Sequence, residues 1–326
     1  MKALATFASA TVLAFAAAAV PSAAIAQPAA GQTIRIVVPF AAGGAQDVLG
    51  RHLATRLAAR TGANVVVENK TGASGIVAAD AVAKSAPDGT TLFLATGGAM
   101  TIAPHLNAKL PYNPQKDFVP VALLADTPMT LAVRTQSPYQ SIADVLRDAK
   151  ANPGKVSYGS SGNGSVSHLT GELLAQAAGV KFTHVGYRGG APAIVDLLGG
   201  QISMMINSSA SMEPLVNDRK ARVLATFTRE PLPNLPGVPT VAQSTGLKGL
   251  EVPVWIGIMA PARTPHAVVE KLGADITAAC RSAEMQERFH AVGALALCGG
   301  SAALDKVVTE DYERWGRVIT QGNIKQ

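Results

Sequence analysis

The apolar positions in the first hundred residues alternate between two periods. A run over 33–38 is typical of a buried strand, whereas residues 47–60 carry Leu49, Leu53 and Leu57 at the spacing of one helix face. The next predicted elements are a strand over 64–68, a helix over about 75–84 and a strand over 91–95. This order of strand, helix, strand, helix and strand predicts a mainly parallel sheet flanked by helices.

The same order starts again further along the chain. Predicted strands cover 129–134, 156–158, 181–185 and 202–206, and predicted helices cover 142–150, 166–178 and 191–198. A proline-rich run over 231–239 is incompatible with regular helix or a central strand, so it predicts a surface excursion or a sheet edge. A strand-like run over 254–259 and helices over 265–279 and 304–320 would return to the first sheet and complete it. We therefore expect an α/β fold with two lobes.

Residues 1–26 have the pattern of a signal peptide. Lys2 precedes an uncharged run over 3–19, and Ala24-Ile25-Ala26 offers a small-residue cleavage site. Gln27 stands where a lipoprotein would need cysteine. Removal leaves 326 − 26 = 300 residues, which is more than one core usually serves. We expect lobe 1 to comprise 27–127 and 255–326, and lobe 2 to comprise 128–254, in an exported, periplasmic protein.

Charge and cysteine content narrow the class of protein. The chain has 28 Lys and Arg against 22 Asp and Glu, and the basic residues are scattered, which argues against nucleic acid as a partner. No segment after the leader holds about 18 uninterrupted apolar residues, so the mature chain is expected to be soluble. In an oxidising compartment Cys280 and Cys298 form either a disulfide or two buried thiols, and the sequence leaves both open.

Three loops share one design, in which small residues join the end of a buried strand to the start of a helix. They cover 39–46, 159–165 and 186–190. Such loops lie at the carboxyl ends of the strands, where ligand crevices form in open α/β sheets. The first N–H groups of a helix lack partners within the helix and attract anions. The sequence therefore predicts a site in which backbone amides bind a carboxylate.

The first loop and the strand ends contribute candidate ligand contacts. Gly43 and Gly44 would supply amides, and Phe40 would form a wall of the pocket. Asp47 at the helix start is either a brace for the loop or a direct ligand contact. Thr96 and Asn207 end further predicted strands and add polar side chains.

The second and third loops contribute the remaining candidates. Ser160 and Ser161 have little capping reason to be where they are, whereas Ser165 is either a plain N-cap or a ligand contact. His168, in the first helical turn, either packs in the fold or reaches the ligand. Arg188 either pairs with a second carboxylate or is a solvated surface residue.

The sequence lacks the common catalytic motifs. The sequence has no Gly-x-Ser-x-Gly elbow, no His-Glu-x-x-His and no phosphate-binding loop, and its six histidines lack metal-ligand spacing. A pairing of Ser161 with His168 lacks an acid to orient it. We expect no catalysis, no cofactor and no metal. A secreted hydrolase acting on carboxylate esters remains the alternative from another class.

Seven stretches in a fixed order make nearly the whole mature chain resemble the Bug-type periplasmic receptors of tripartite tricarboxylate transporters. The stretches are Ile36-Val37-Val38-Pro39-Phe40 with Gly43-Gly44 and Asp47; Val67-Glu68-Asn69-Lys70 with Gly72 and Gly75; residues 83–92; Tyr158-Gly159-Ser160 with His168-Leu169; His184-Val185 with Tyr187-Arg188-Gly189-Gly190-Ala191-Pro192; residues 238–242; and residues 255–265. The chain departs from the family pattern at Ala41-Ala42 and Gln46, which weakens the expectation of ligand contacts from the first loop. Thr71 stands where proline is common in the family, which mainly affects the stiffness of its own loop.

The resemblance implies a type II periplasmic-binding-protein fold, a two-lobed flytrap with a small carboxylate held between the lobes by loop amides and bridging waters. It also implies delivery to the membrane permease subunits of a tripartite tricarboxylate transporter. The positions implied to face the ligand are Gly43, Gly44, Thr96, Ser160, Ser161, Ser165, Ala191 and Asn207. We expect a monomer with hinges near 125–129 and 254–257. A receptor that presents its ligand to a signalling partner would have the same sequence features.

Overall fold

The computed structural model describes residues 32–324 apart from residues 41, 44 and 188. The predicted signal peptide, Gly44 and Arg188 lie outside the described residues. The strands are β1 Thr33–Val38, β2 Asn64–Asn69, β3 Thr91–Thr96, β4 Phe118–Asp126, β5 Met129–Arg134, β6 Ser157–Ser160, β7 Thr183–Gly186, β8 Met204–Ser208, β9 Ala221–Thr226, β10 Trp255–Pro261 and β11 Leu295–Gly300.

Helices separate most of these strands. They are α1 Ala45–Thr61, α2 Ile76–Ala83, α3 Ala103–Leu106, α4 Ile142–Ala151, α5 Val166–Ala178, α6 Gly190–Gly199, α7 Ser209–Asn217, α8 Val241–Thr245, α9 His266–Cys280, α10 Ala283–Ala291 and α11 Ser301–Gly322. A 3-10 turn covers Ala73–Gly75 and a π-helical turn covers Gly98–Ile102. No helix in the described ranges is both long and apolar enough to cross a membrane.

Two sheets confirm the predicted α/β class with two lobes. The sheet of lobe 1 has the order β11-β4-β10-β3-β1-β2, and the sheet of lobe 2 has the order β7-β6-β8-β5-β9. The first three strands of lobe 1 are parallel, as are β6, β7 and β8. The other pairings are antiparallel, so both sheets are mixed rather than mainly parallel. The antiparallel strands include β4, β5 and β10, which border the two places where the chain crosses between the lobes.

Local sequence signals explain where the helices begin and end. Leu49, Leu53 and Leu57 are fully buried in the core of lobe 1, as their helical spacing predicts. Gly62 follows α1 with a positive φ of 70°, a conformation that glycine adopts without a Cβ clash. Ser141 begins α4 with a capping box, in which its side chain and that of Asp144 each accept a hydrogen bond from the other's backbone N–H.

Each sheet has an apolar cluster on both faces. In lobe 1, α1 and α9 cover one face, and α2 with the start of α11 covers the other. In lobe 2, α4 and α5 cover one face, while α6, α7 and the leucines of the proline-rich run cover the other. The proline-rich run is therefore ordered, because Leu232 and Leu235 are buried.

The helix α11 joins the two lobes. Leu304 near its start packs in a lobe 1 cluster, whereas Trp315, Val318 and Ile319 pack in the core of lobe 2. We expected this helix to complete lobe 1, but it belongs to both cores. The chain thus connects the lobes by β4 to β5, by the entry into β10 at Trp255, and by α11.

The structure settles the open question about the cysteines. Cys280 at the end of α9 forms a disulfide with Cys298 in β11, with 5.5 Å between the two Cα atoms. This separation is typical of disulfides. The bond ties a surface helix of lobe 1 to the edge strand of its sheet.

Candidate functional site

The end of β2 braces the first loop of lobe 1. Asn69 Nδ2 donates hydrogen bonds to the backbone oxygen of Phe40 at 3.0 Å and to Asp47 Oδ1 at 2.7 Å. Asp47 Oδ2 accepts from the Gly43 N–H at 2.8 Å and from Arg51 Nε at 3.0 Å. The carboxylate of Asp47 is thus surrounded by donors from its own lobe, which identifies it as the brace of the loop.

Hydrogen bonding controls the charge of Asp47. Its side chain is buried, and burial alone would raise the pKa of the carboxyl group. Hydrogen bonds from Arg51, from the Gly43 N–H and from Asn69, together with the positive charge of Arg51, instead lower its pKa to about 2. Asp47 is therefore ionised at neutral and mildly acidic pH.

The same contacts change the expectation for Gly43. Its N–H, which we expected to donate to a ligand, donates to Asp47 in this structure. Phe40 is half-buried and packs against the core of lobe 1. Ligand contacts by Gly43, Gly44 and Phe40 remain predictions.

Thr96 lies where β3 ends, beside the crossing between the lobes. It is 8% exposed and pairs with Ile256 of β10. The π-helical turn that follows packs on the turn after β2, because a β-carbon at Gly98 would lie 3.1 Å from the Ser74 backbone oxygen. The strand-end loops of lobe 1 therefore form one continuous surface.

The loop over 159–165 in lobe 2 satisfies most of its own polar groups. The Gly162 N–H donates to Ser160 Oγ at 3.2 Å, and the Gly164 N–H donates to His168 Nδ1 at 3.1 Å. Ser165 is the N-cap of α5, as one of the two readings predicted, since its side chain accepts from the His168 N–H at 3.2 Å. These amides are tied to their own chain, contrary to our expectation that this loop offers them to a ligand.

The serines of this loop differ in exposure. Ser160 ends β6 and is fully buried, with its hydroxyl 2.7 Å from His184 Nε2, whereas Ser161 is exposed. Ser161 Oγ lies 3.0 Å from Ser167 Oγ. The Ser161–His168 pairing considered from sequence is not formed, because His168 Nδ1 instead accepts from Gly164.

The start of α6 carries no side-chain cap, because its N-cap is Gly189. As at the start of any helix, the first N–H groups, here those of Gly190 and Ala191, have no acceptor within the helix. A β-carbon at Gly190 would lie 2.9 Å from Asn207 Nδ2, which places the Asn207 amide directly beside this turn. Ala191 is exposed. The start of α6 and Asn207 together form the donor cluster.

Asn207 is oriented as a donor. Its Oδ1 accepts from the Ser208 N–H at 2.9 Å, which fixes the side-chain amide so that Nδ2 points away. The residue is 9% exposed, and within the part of the chain that the structure describes its Nδ2 has no hydrogen-bond partner. A buried, unpaired donor costs free energy unless a ligand or water satisfies it.

A cavity separates the lobes near the first loop. It measures about 420 Å³ and is lined by Gly43 and Val48 of lobe 1, by α7 of lobe 2 and by residues 290–293. Next to it Gly293 meets Ala210, and on the other side of the interface a β-carbon at Gly164 would lie 2.9 Å from Leu106. A larger cavity of about 750 Å³ lies on the outer face of lobe 1 between α9 and the start of α11, away from the strand-end loops.

Sequence reasoning missed four residues that shape the site. Asn69 and Arg51 hold Asp47, while Ser167 and His184 hold the loop over 159–165. One of these contacts had a signal in the sequence. His184 lies in a predicted strand, and that strand pairs in parallel with the strand that ends at Ser160, so the two side chains could be expected to lie close together.

Comparisons with known proteins place this architecture. The family model described as "Tripartite tricarboxylate transporter family receptor" matches residues 49–324. A UPF0065 protein in the tcbD-tcbE intergenic region of Pseudomonas sp. (strain P51) is 37% identical over 285 residues, covering 87% of this chain and 84% of the relative. Protein BugT of Bordetella pertussis is 31% identical over 312 residues, covering 94% of this chain and 95% of BugT.

Solved structures agree with these relatives. The R. palustris protein Rpa4515 with adipate is 33% identical, with a TM-score of 0.78, covering 90% of this chain and 98% of that one. MatC from Rhodopseudomonas palustris with bound malate is 34% identical, with a TM-score of 0.75, covering 88% of this chain and 98% of that one. The two sheets, the strand-end loops and these matches lead to one conclusion. The chain belongs to the tripartite tricarboxylate transporter receptor family.

Proposed function

We propose that this chain is a periplasmic receptor that captures a small carboxylate between its two lobes and delivers it to the membrane permease subunits of a tripartite tricarboxylate transporter. The observation that carries the proposal is the unpaired Nδ2 of Asn207 beside the uncapped start of α6. Two or more convergent N–H donors at the positive end of a helix dipole suit a carboxylate oxygen. Relatives bound to adipate and malate support this ligand class.

The proposed site needs both lobes. The donor cluster of lobe 2 lies at the carboxyl end of its sheet, and the corresponding end of lobe 1 presents Thr96 and the first loop. Closure around the hinges would remove water from the carboxylate and strengthen each hydrogen bond to it. Gly44 and Arg188 belong to this proposal on the sequence evidence alone.

Catalysis is not part of the proposed function. The structure forms one serine–histidine pair near the site, Ser160 with His184, but Ser160 is fully buried and also hydrogen-bonds within its own loop. A nucleophile must be accessible to the substrate carbon. We therefore propose that the chain acts as a receptor without catalysis; that it works as a monomer is a separate proposal from the sequence.

Thermal-shift measurements on the mature protein test the ligand class. Adipate, malate, a neutral sugar and a divalent metal ion should be compared at the same concentration. We expect at least one of the two acids to raise the melting temperature by mass action. A rise with the sugar or the metal but with neither acid would contradict the proposal.

The substitution Asn207→Asp tests the donor cluster. It keeps an oxygen that can accept from the Ser208 N–H but replaces the free donor with negative charge, so we expect calorimetry to show at least a tenfold loss of affinity for the acid. The matched control is Asn64→Asp, at the first residue of β2 in lobe 1 and thus at the other end of that strand from the site. Equal affinity of Asn207→Asp and the wild type would exclude Asn207 as a ligand contact.

A further inference from the structure

Two histidines of lobe 2 stack against each other beside the loop over 159–165. The rings of His168 in α5 and His184 in β7 lie with centroids 3.9 Å apart and planes 19° apart. His168 is 7% exposed, and His184 is half-buried. The proposed function gives neither ring a ligand contact, yet both form hydrogen bonds to the loop over 159–165.

Each ring holds one end of that loop. His168 Nδ1 accepts from the Gly164 N–H at 3.1 Å, so this nitrogen carries no proton and the neutral ring is protonated at Nε2. His184 Nε2 lies 2.7 Å from Ser160 Oγ, and that hydroxyl also contacts Gly162 through both its N–H and its backbone oxygen. The stack therefore fixes the two turns of the loop relative to each other.

The loop in turn holds the segment that leads into α6. The Tyr187 N–H donates to the Ser160 backbone oxygen at 3.1 Å, and the Gly189 N–H donates to the Ser161 backbone oxygen at 3.3 Å. Gly189 immediately precedes the uncapped first turn of α6. The chain of contacts thus runs from the imidazole rings through the loop to the donors that the proposed function assigns to the carboxylate.

We propose that His168 and His184 are positioning residues that hold the donor cluster in place as an uncharged stacked pair, and that ligand capture weakens when either ring takes up a proton. This inference rests on the proposed function. A proton on His168 Nδ1 would point at the Gly164 N–H, so the nitrogen could no longer accept this hydrogen bond and the two N–H groups would repel each other. It would also place a positive charge 3.9 Å from the other ring.

The charged and titratable neighbours of the stack act in both directions. Glu172 Oε1 lies 4.0 Å from His168 Nε2, and its negative charge favours the protonated ring. The same oxygen accepts a hydrogen bond from Tyr158 OH at 2.8 Å, which weakens this effect. Burial lowers the pKa of His168 to about 4, and burial with the neighbouring His168 lowers the pKa of His184 to about 4. Both rings are neutral at pH 7 and gain charge as the pH falls toward 4.

Amide hydrogen exchange in the ligand-free protein tests the positioning role without any ligand. We expect His168→Ala to speed the exchange of the Gly164 and Gly189 amides at least tenfold at pH 7, because their loop loses its anchor. His168→Asn should restore slow exchange, since its Oδ1 can accept where Nδ1 did. His266→Asn, at a side chain that is 85% exposed, is the matched control. Unchanged exchange in His168→Ala, with the melting temperature retained, would overturn the proposal.

Calorimetry with adipate and malate tests the consequence for capture. We expect His168→Ala to bind at least tenfold more weakly at pH 7.5 and His168→Asn with His184→Gln to bind within about threefold of the wild type. From pH 6 to pH 4, where each ring takes up its proton, the wild type should lose more affinity than this double variant. Protonation of the acid affects both proteins equally and cancels in the comparison. Parallel pH profiles would overturn the proton-sensitive part. A wild type that binds neither acid counts against the proposed ligand class, and the exchange result then decides on positioning.

Discussion

Asp47 shows how a single carboxylate can organise a loop through hydrogen bonds within its own lobe. Its two oxygens accept from Asn69, Gly43 and Arg51, and so join the end of β2, the first loop and the second turn of α1. Arg51 also donates to Asn69 Oδ1 at 2.9 Å, which closes the network. Phe40, Gly43 and Asp47 are therefore held in place by contacts within lobe 1, and preorganisation of this kind would lower the cost of binding at this loop.

Asp47→Asn should destabilise the protein by about 1–3 kcal/mol at pH 7. The amide NH₂ group cannot accept a hydrogen bond, so it would face one of the N–H groups that now donate to Asp47 and leave it without an acceptor. Urea unfolding measures the difference. The low pKa of Asp47 stabilises the folded state above about pH 4, and this contribution is lost as the pH falls toward 2. The gap between the wild type and Asp47→Asn should narrow over the same range. A gap that is constant from pH 7 to pH 2 would show that the charge is irrelevant.

Secondary-structure elements were predictable where periodicity was strong. The predicted bounds of β1, β5 and α5 match the structure. The predicted strands over 202–206 and 181–185 are shifted toward the C-terminus in the structure, which brings Asn207 into β8 and ends β7 at Gly186. Alternating apolar residues and continuous apolar runs locate the middle of a strand well but its ends poorly. The last residues of a strand are set by their hydrogen bonds to the neighbouring strand, which the local sequence does not show.

The strands β4, β9 and β11 and the helices α3, α7, α8 and α10 were not predicted. Pro120 lies inside β4, and proline argues against a central strand. The structure accommodates it where the register with β10 shifts, between Ile258 and Met259. Only the partner strand makes this position tolerable, and it is more than a hundred residues away in sequence.

The loops of the candidate site were predictable, but the accessible amides within them were not. Glycines between a strand and a helix predicted donor-rich turns. Whether a given N–H meets a ligand or a side chain of its own lobe depends on distant residues such as Asn69 and His184. The sequence does not reveal these partners without the sheet order.

The disulfide is an element-scale constraint on lobe 1. Replacing both Cys280 and Cys298 with serine should lower the free energy of unfolding by about 2–4 kcal/mol. The two cysteines are 18 residues apart in sequence, and without the bond that joins them the unfolded chain gains conformational entropy. Urea unfolding with and without reductant measures this. Reductant should bring the wild type close to the double variant and leave the variant unchanged. A wild type insensitive to reductant under unfolding conditions would contradict the expectation.

At the scale of the whole molecule, two acids, the half-buried Asp126 and the fully buried Asp311, lie where the chain crosses between the lobes. The Val254 N–H donates to Asp126 Oδ1 at 2.7 Å and the Thr127 N–H donates to the Val254 backbone oxygen at 3.0 Å, which ties the two crossing segments together. Asp311 of α11 accepts from Thr101 Oγ1 at 2.6 Å and from Trp255 Nε1 at 3.1 Å. Burial raises the pKa of Asp311, and burial with the charge of Asp311 raises that of Asp126 to about 6.

Asp126→Asn should stabilise the protein by about 1–3 kcal/mol at pH 8, since the ionised carboxylate is buried at a cost and the amide oxygen can still accept from Val254. A raised pKa in the folded state means that this cost is present above about pH 6 and disappears as the pH falls toward 4. Thermal unfolding of both proteins from pH 4 to pH 8 checks the sign. The control is Asp218→Asn, at an exposed side chain. A variant less stable than the wild type at pH 8 would show that the charge supports the crossing.

The contact between Trp255 and Asp311 gives the protein an intrinsic fluorescence signal at the crossing between the lobes. The sequence contains two tryptophans. Trp255 begins β10 at a crossing segment, and Trp315 follows Asp311 by one turn of α11. Indole emission depends on nearby charge and solvent, and both indoles lie on segments that must bend or shift if the lobes rotate. Closing of the lobes should therefore change the intrinsic fluorescence of the unlabelled protein, so that stopped-flow mixing can time the motion directly.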